Sequence, residues 1–319
     1  MGFKEILKNR YNFDLKKYGV LGINARNLDY IFVNNRRKFY PLVDDKVETK
    51  KIALAAGIRC PETYAIIEYQ DQVPKFAEMI GEHKDFVIKP AQGSGGEGIL
   101  VIADHNENGY VKSSGAVIDY PTLRYHLNNT LNGLYSLGGT NDKVLVEYRV
   151  KSIKDFIDIS YQGVPDIRLI VYKGVTVMAM LRLPTRKSDG KANLHSGGVG
   201  IGVNIKEGVT THAIQKNVFI NNHPDTNVNL RGIEIPYWQD ILNLASRFDS
   251  IIGLGYIGVD IVIDQKYGPM LLEVNARPGI SIQIANKCGL KPRLDLVDKH
   301  ILELKDLESK IAFSLDNFS

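Results

Sequence analysis

Four of the six residues from Gly93 to Gly98 are glycine (Gly93, Gly95, Gly96 and Gly98), with Ser94 and Glu97 between them. The segment lies between two apolar runs, residues 86–90 and 99–103, that read as strands. It therefore forms a glycine hairpin, whose backbone N–H groups can close over phosphate oxygens because no Cβ holds the chain away. A two-residue turn needs one or two glycines, and glycine is entropically costly to order, so a plain surface turn accounts poorly for four. Lys89 stands just before the loop at the end of its strand, where an ammonium can reach α- and β-phosphates.

A second constellation lies near the C-terminal end. Asp260 and Glu273 sit on two apolar runs, 256–263 and 270–274, joined by a turn at 265–269, and the midpoint of the pair falls inside that turn. The two carboxylates should face each other across the ladder, and period-2 alternation puts Asn275 on the face of Glu273. Like charges directly opposite are destabilising. Either a divalent cation sits between them or Asp260 pairs with a Lys or Arg; the metal reading is preferred because a phosphate loop occurs in the same chain. Two carboxylates and an amide oxygen are hard ligands that suit Mg²⁺, with Mn²⁺ as a substitute. Arg277 continues the same register (273, 275, 277) and can stabilise charge that develops during phosphoryl transfer.

The elements that must position these residues follow from pattern. Residues 46–56 read as a helix that Asp44 or Asp45 can cap and that Gly57 ends. Strands are expected at 63–68, 144–150, 167–171 and 175–183, the last two forming a hairpin around Tyr172-Lys173-Gly174, with helices at 73–80, 121–131 and 236–250. Residues 1–45 read as an irregular arm with a short amphipathic stretch at 3–7, residues 184–202 as a polar flexible stretch, and 294–313 as a final surface helix or two. A second G-x-G-x-x-G, Gly253 to Gly258, follows a helix and precedes a strand, the reverse of a dinucleotide site, and reads as a plain turn. Strands interleaved with helices and several antiparallel hairpins argue for an α+β fold.

Composition narrows the function classes. The 319 residues suggest about two domains, and a formal charge of +4 is too slight for a strongly basic nucleic-acid binder. The triplet Arg36, Arg37 and Lys38 reads as a solvated face. Cys60 and Cys288 lie far apart, without metal-ligand spacing, which fits a reduced, cytoplasmic protein. No apolar run approaches the length of a membrane span.

Taken in order, DDKVETKKIALAAGIRCPET, FVIKPAQGSGGEGI, VLVEYRV, DIRLIVYKG, NLHSGG, GVDIVID and LLEVNARPG resemble the ATP-grasp superfamily over residues 44–281. Within it, the chain is most similar to the alpha-L-glutamate-ligase-related or sugar-transfer-associated group. The resemblance implies two α+β lobes with the nucleotide between them: an arm at 1–45, a small lobe with a glycine-rich lid at 46–150, and a large lobe with the metal site at 151–319. It implies that Lys46 and Lys89 contact ATP phosphates and that the loop 93–98 closes as a lid. It further implies that Glu147 and the backbone near Arg149 and Val150 hold adenine, with Asp155 for the ribose hydroxyls. Asp166 and Arg168 match a D-x-R pair, and Arg182, Asn193 and His195 fall in the stretch facing the reacting carboxylate; for His195 a purely structural loop histidine is an equal alternative.

The chemistry implied is attack of a carboxylate on the γ-phosphate to give an acyl phosphate, which an amine displaces to form an amide, on amino-acid or peptide-like substrates. Such a site needs position and positive charge rather than a protein nucleophile. The rivals are a kinase on the same scaffold that phosphorylates a small-molecule or sugar hydroxyl, and a nucleotide-binding regulatory protein without turnover. Many superfamily members carry a complete α/β domain before the nucleotide-binding part, whereas about 45 residues stand there here. Asn24, Arg26 and Asn27, or Arg36 and Arg37, are the candidates to replace its substrate contacts.

Overall fold

The computed structural model describes residues 15–93, 95–107, 109–136 and 138–319, so the amphipathic stretch at 3–7 and Ser94 lie outside the described residues. Two antiparallel sheets organise the chain. The first has six strands: β1 (Thr63–Ile67), β2 (Phe86–Pro90), β3 (Leu100–Asn106), β4 (Gly109–Lys112), β5 (Val117–Ile118) and β6 (Val144–Tyr148), in the order β1-β6-β2-β3-β4-β5. The second has seven: β7 (Asp166–Tyr172), β8 (Val175–Leu183), β9 (Val199–Asn204), β10 (Val209–Gln215), β11 (Val218–Ile220), β12 (Tyr256–Asp264) and β13 (Gly268–Asn275), in the order β11-β10-β9-β8-β7-β12-β13.

Helix α1 (Lys46–Ala55) starts at Asp45, whose side chain accepts the Val47 and Glu48 N–H groups, and stops before Gly57 at φ 70°. In the first sheet, helix α2 (Tyr120–Leu131) lays Leu123, Leu127 and Leu131 onto Phe76, Phe86 and Ile88. The second sheet carries the larger core. Trp238, Ile241, Leu242 and Ala245 of α3 (Trp238–Ser246) recur at helical spacing and all join it. Helices α4 (Ile282–Ala285), α5 (Lys291–His300) and α6 (Leu307–Asn317) complete that layer, each in contact with β8. No helix among the described residues is long and apolar enough to cross a membrane.

Asp264 joins the two sheets. It is 1% exposed and accepts four hydrogen bonds, from Tyr148 Oη (3.1 Å), Lys151 N (2.9 Å), Lys266 N (2.8 Å) and Tyr267 N (3.0 Å). The end of β6 is thereby tied to the turn between β12 and β13.

Three expectations need correction. Residues 199–202 are not flexible loop but the start of β9, fully buried. Gly200 and Gly202 disguised it; a Cβ on Gly202 would stand 2.6 Å from the Ala285 carbonyl oxygen, so close packing demands the glycine. Residues 23–34 are helical rather than irregular. A π-type turn at Arg26–Ile31, with Phe32 N–H donating to the Asn27 carbonyl, disrupts the 3.6-residue period that would reveal it. Finally, β13 ends at Asn275, so Arg277 lies in the bend beyond it and not in register with Glu273.

Candidate active site

The site is assembled where α1, β2 and β6 of the first sheet meet β13 of the second. Lys46 and Lys50 stand one helical turn apart on α1 and so share a face. The Lys50 ammonium binds Glu147 on β6 at 2.7 Å, and Lys89 on β2 takes the other oxygen of the same carboxylate. Glu147 is 3% exposed. Burial works against its ionisation, but Lys89 and Lys50 outweigh it and hold the carboxyl below its usual range.

Lys46 Nζ donates to the Gly93 carbonyl at 2.6 Å and lies 3.8 Å from Glu273. Burial lowers its pKa, opposed by Glu273. One ammonium therefore touches both the root of the glycine loop and the acidic hairpin, so the two motifs are neighbours in space. Within the loop, Gly95, Gly96 and Gly98 have φ of 66°, 79° and 72°, a region that disfavours side chains. A Cβ on Gly98 would also approach the Tyr135 ring to 2.6 Å. The loop also reaches the segment before β9: Asn193 Nδ2 donates to the Gly95 carbonyl at 2.8 Å. Asn193 Oδ1 in turn accepts the His195 backbone N–H at 3.0 Å, while the His195 side chain is exposed.

Across the second sheet runs a row of charges. The register sets Asp260 opposite Glu273 on one side and opposite Arg168 on the other, with Asp166 opposite Arg182. Both oxygens of Asp260 are engaged by Arg168, and one also accepts from Arg182 Nη2 at 2.8 Å. Arg182 Nε donates to Asp166. Burial would raise the Asp260 pKa, yet Arg168 and Arg182 hold it down; for Asp166 burial prevails over Arg182 and pushes the carboxyl up to about 6. The repulsion expected between Asp260 and Glu273 is thus offset by Arg168, Arg182 and Lys46, the Lys-or-Arg pairing that stood as the alternative for Asp260. Among the described residues no group of three or more His, Cys, Asp or Glu side chains is placed to hold a metal ion. Glu273 is 29% exposed, and the buried Asn275 Nδ2 is a hydrogen-bond donor without a partner.

Several candidates lie apart from this cluster. Arg149 pairs with Asp85 at 3.3 Å, the Val150 side chain packs with Val262 and Met270, and Asp155 is exposed on the short helix Lys154–Ile157. Arg277 stacks on Tyr40 at 5.1 Å and faces Asp44 at 3.9 Å. Arg26 donates to the Pro278 carbonyl at 2.6 Å and so borders the bend that follows β13, whereas Arg36 and Arg37 are exposed. Lys50 escaped the sequence reading although its spacing from Lys46 was visible. Asp142, which accepts the Gln92 N–H at 3.0 Å and steadies the entry to the loop, left no such signal.

The family described as sugar-transfer associated ATP-grasp matches residues 25–299. A probable alpha-L-glutamate ligase from Maridesulfovibrio salexigens is 22% identical over 279 residues, which is 88% of this chain and 70% of that protein. Among solved structures, the ATP-grasp ligase PsnB complexed with minimal precursor is 14% identical, with a TM-score of 0.44 over 85% of this chain and 63% of that one. The RiPP-associated ATP-grasp ligase of Chryseobacterium gregarium, in complex with ADP and a leader and core peptide, is 15% identical, with a TM-score of 0.45 over 93% of this chain and 72% of that one. The chain thus spans less than two thirds of the length of PsnB.

Proposed function

Because the chain belongs to the sugar-transfer associated ATP-grasp family, we propose that it is an ATP- and Mg²⁺-dependent ligase that joins a carboxylate to an amine through an acyl phosphate. One observation carries this reading: Lys46 bridges the glycine loop at Gly93 and the acidic hairpin at Glu273, above the buried Lys50–Glu147–Lys89 cluster. Residues 46–150 then act as the small lobe and 151–319 as the large one, with residues 1–45 as the arm before them.

In this reading ATP supplies the phosphoryl group that activates the carboxylate, and Mg²⁺ offsets charge on the phosphates. Lys46 and Lys89 hold phosphate oxygens, and Glu147 fixes where the Lys89 ammonium points. The glycine loop covers the phosphates and shuts out water, tethered by Lys46 at Gly93 and by Asn193 at Gly95. Glu273 and Asn275 fit a magnesium ion, being oxygen donors on one strand face. Asp260 joins them only by sharing an oxygen already bound to a guanidinium. Arg168 and Arg182 form the positive floor on which the acceptor carboxylate and the developing charge are stabilised. Glu147, Arg149 and Val150 border the adenine, Asp155 the ribose, and His195 and Arg277 the mouth of the acceptor site. Amino-acid or peptide-like substrates suit a floor that offers guanidinium groups to a carboxylate.

The test is incubation with ATP, Mg²⁺ and pooled carboxylates and amines, followed by mass spectrometry. The expected result is a condensed product, with ADP and phosphate released only when both substrates are present. Phosphorylated product without condensation would replace the ligase by a kinase.

A further inference from the structure

A second concave site lies at the opposite edge of the seven-stranded sheet, on β10 and β11, with β9 between it and the Arg182 strand. Its volume is about 490 Å³, and its walls include Thr211, His212, Phe219, Asn229, Arg231 and Lys287. The ladder between β9 and β10 is interrupted from Thr210 to Ala213, so Thr211 and His212 fall within an irregularity of the kind that re-aims side chains. Lys287, in the turn after α4, adopts φ 50° and places its ammonium 4.3 Å from the centre of the Phe219 ring. Asn229 Oδ1 accepts the Arg231 N–H at 2.9 Å and sets the turn that presents this arginine.

Two separate segments thus bring cationic groups, Arg231 and Lys287, to the pocket wall that carries His212. Burial first, then Lys287 and Arg231, depress the His212 pKa, and no carboxylate acts on it in return. The Nδ1 atom of His212 is buried without a hydrogen-bond partner. Two cations lining one concavity whose walls include no carboxylate favour an anion there.

We propose that this pocket binds an anionic small molecule through an oxyanion group, a carboxylate or a phosphate, held by Arg231 and Lys287 with His212 as a further donor and Phe219 against its carbon skeleton. The site is independent of the nucleotide cleft and does not rest on the ligase reading.

The experiment is an NMR titration of the His212 imidazole in the full chain, with inorganic phosphate and with glutarate, at ionic strength matched with chloride. The His212 resonance is identified by its loss in His212→Gln. Binding of either probe raises the pH at which His212 titrates by about 1, since a nearby opposite charge favours the imidazolium. A response to phosphate alone assigns a phosphate-bearing ligand, and a response to glutarate alone a carboxylate-bearing one. The double variant Arg231→Gln/Lys287→Gln, whose altered side chains are exposed, loses the response while retaining the amide spectrum. An unchanged titration with both probes, or a shift that survives in the double variant, overturns the proposal.

Discussion

Glu147 carries two ammonium groups on one buried carboxylate, those of Lys50 and Lys89. Removing one member of a buried ion pair leaves the others uncompensated, at a cost of about 3–5 kcal/mol. Glu147→Ala should therefore lower the urea unfolding free energy by about that much, and Lys89 should lose its fixed position. Lys89→Ala leaves Glu147 to Lys50 alone and should also cost stability, and on the proposed function it and Glu273→Ala are each expected to reduce ATP consumption about 100-fold or more with an unchanged circular dichroism spectrum. Full turnover by either purified variant would sink its assignment. Asp166 adds a pH signature. Its carboxyl is pushed up to about 6, so the folded chain holds this proton more tightly than the unfolded one. That contribution to stability is complete below about pH 4 and fades as pH rises through about 6. The difference in unfolding free energy between wild type and Asp166→Asn should decline over that window, and a flat difference would contradict it.

At the scale of elements, the glycine loop and the Asp264 tie are two devices that link elements of the two sheets. Gly98 is left-handed and pressed against Tyr135, so Gly98→Ala must either displace the ring or reshape the loop. The expected outcome is a rise of about tenfold in KM for ATP with a thermal midpoint close to that of wild type, because the strain falls on a loop outside both cores. Asp264→Ala has the opposite profile. It strips acceptors from four donors at a buried position, which should cost about 2–4 kcal/mol in denaturant unfolding. Unaltered stability in this variant would mean that the tie between β6 and the β12–β13 turn does not hold the two sheets together.

For the molecule as a whole, the consequence of the proposed nucleotide site is linkage. A site assembled from the glycine loop and β13 exists only in the folded chain, so on the proposed function a non-hydrolysable ATP analogue at about 100 times its Kd should add about 2.7 kcal/mol of stability. The gain should be larger with Mg²⁺ than without it, and Glu273→Ala/Asn275→Ala should erase the magnesium-dependent part. Hydrogen exchange would show protection both in the 93–98 loop and in β13; protection confined to one of them would place the nucleotide elsewhere.

Much of this was legible in the chain because some signals are local. The four glycines between two apolar runs, the Asp45 cap of α1, the Asp260–Glu273 spacing about a turn and the antiparallel hairpins all depend on neighbours within a few residues, where sterics and alternation act directly. The family's motif order rests on the same local record. Partnerships between charges were not legible, since Lys50, Lys89 and Glu147 meet only after α1, β2 and β6 have packed. For the same reason the spacing leaves open whether a metal or a basic side chain meets Asp260, and only folding brings Arg168 and Arg182 to it across the sheet. Strand β9 and the helical segment 23–34 stayed hidden because close packing at Gly202 and a π turn break the periods by which a core face is recognised. Spacing along a strand or helix sets which side chains share a face, but electrostatic pairing is a property of space, and only the packed sheets determine which charge stands beside which.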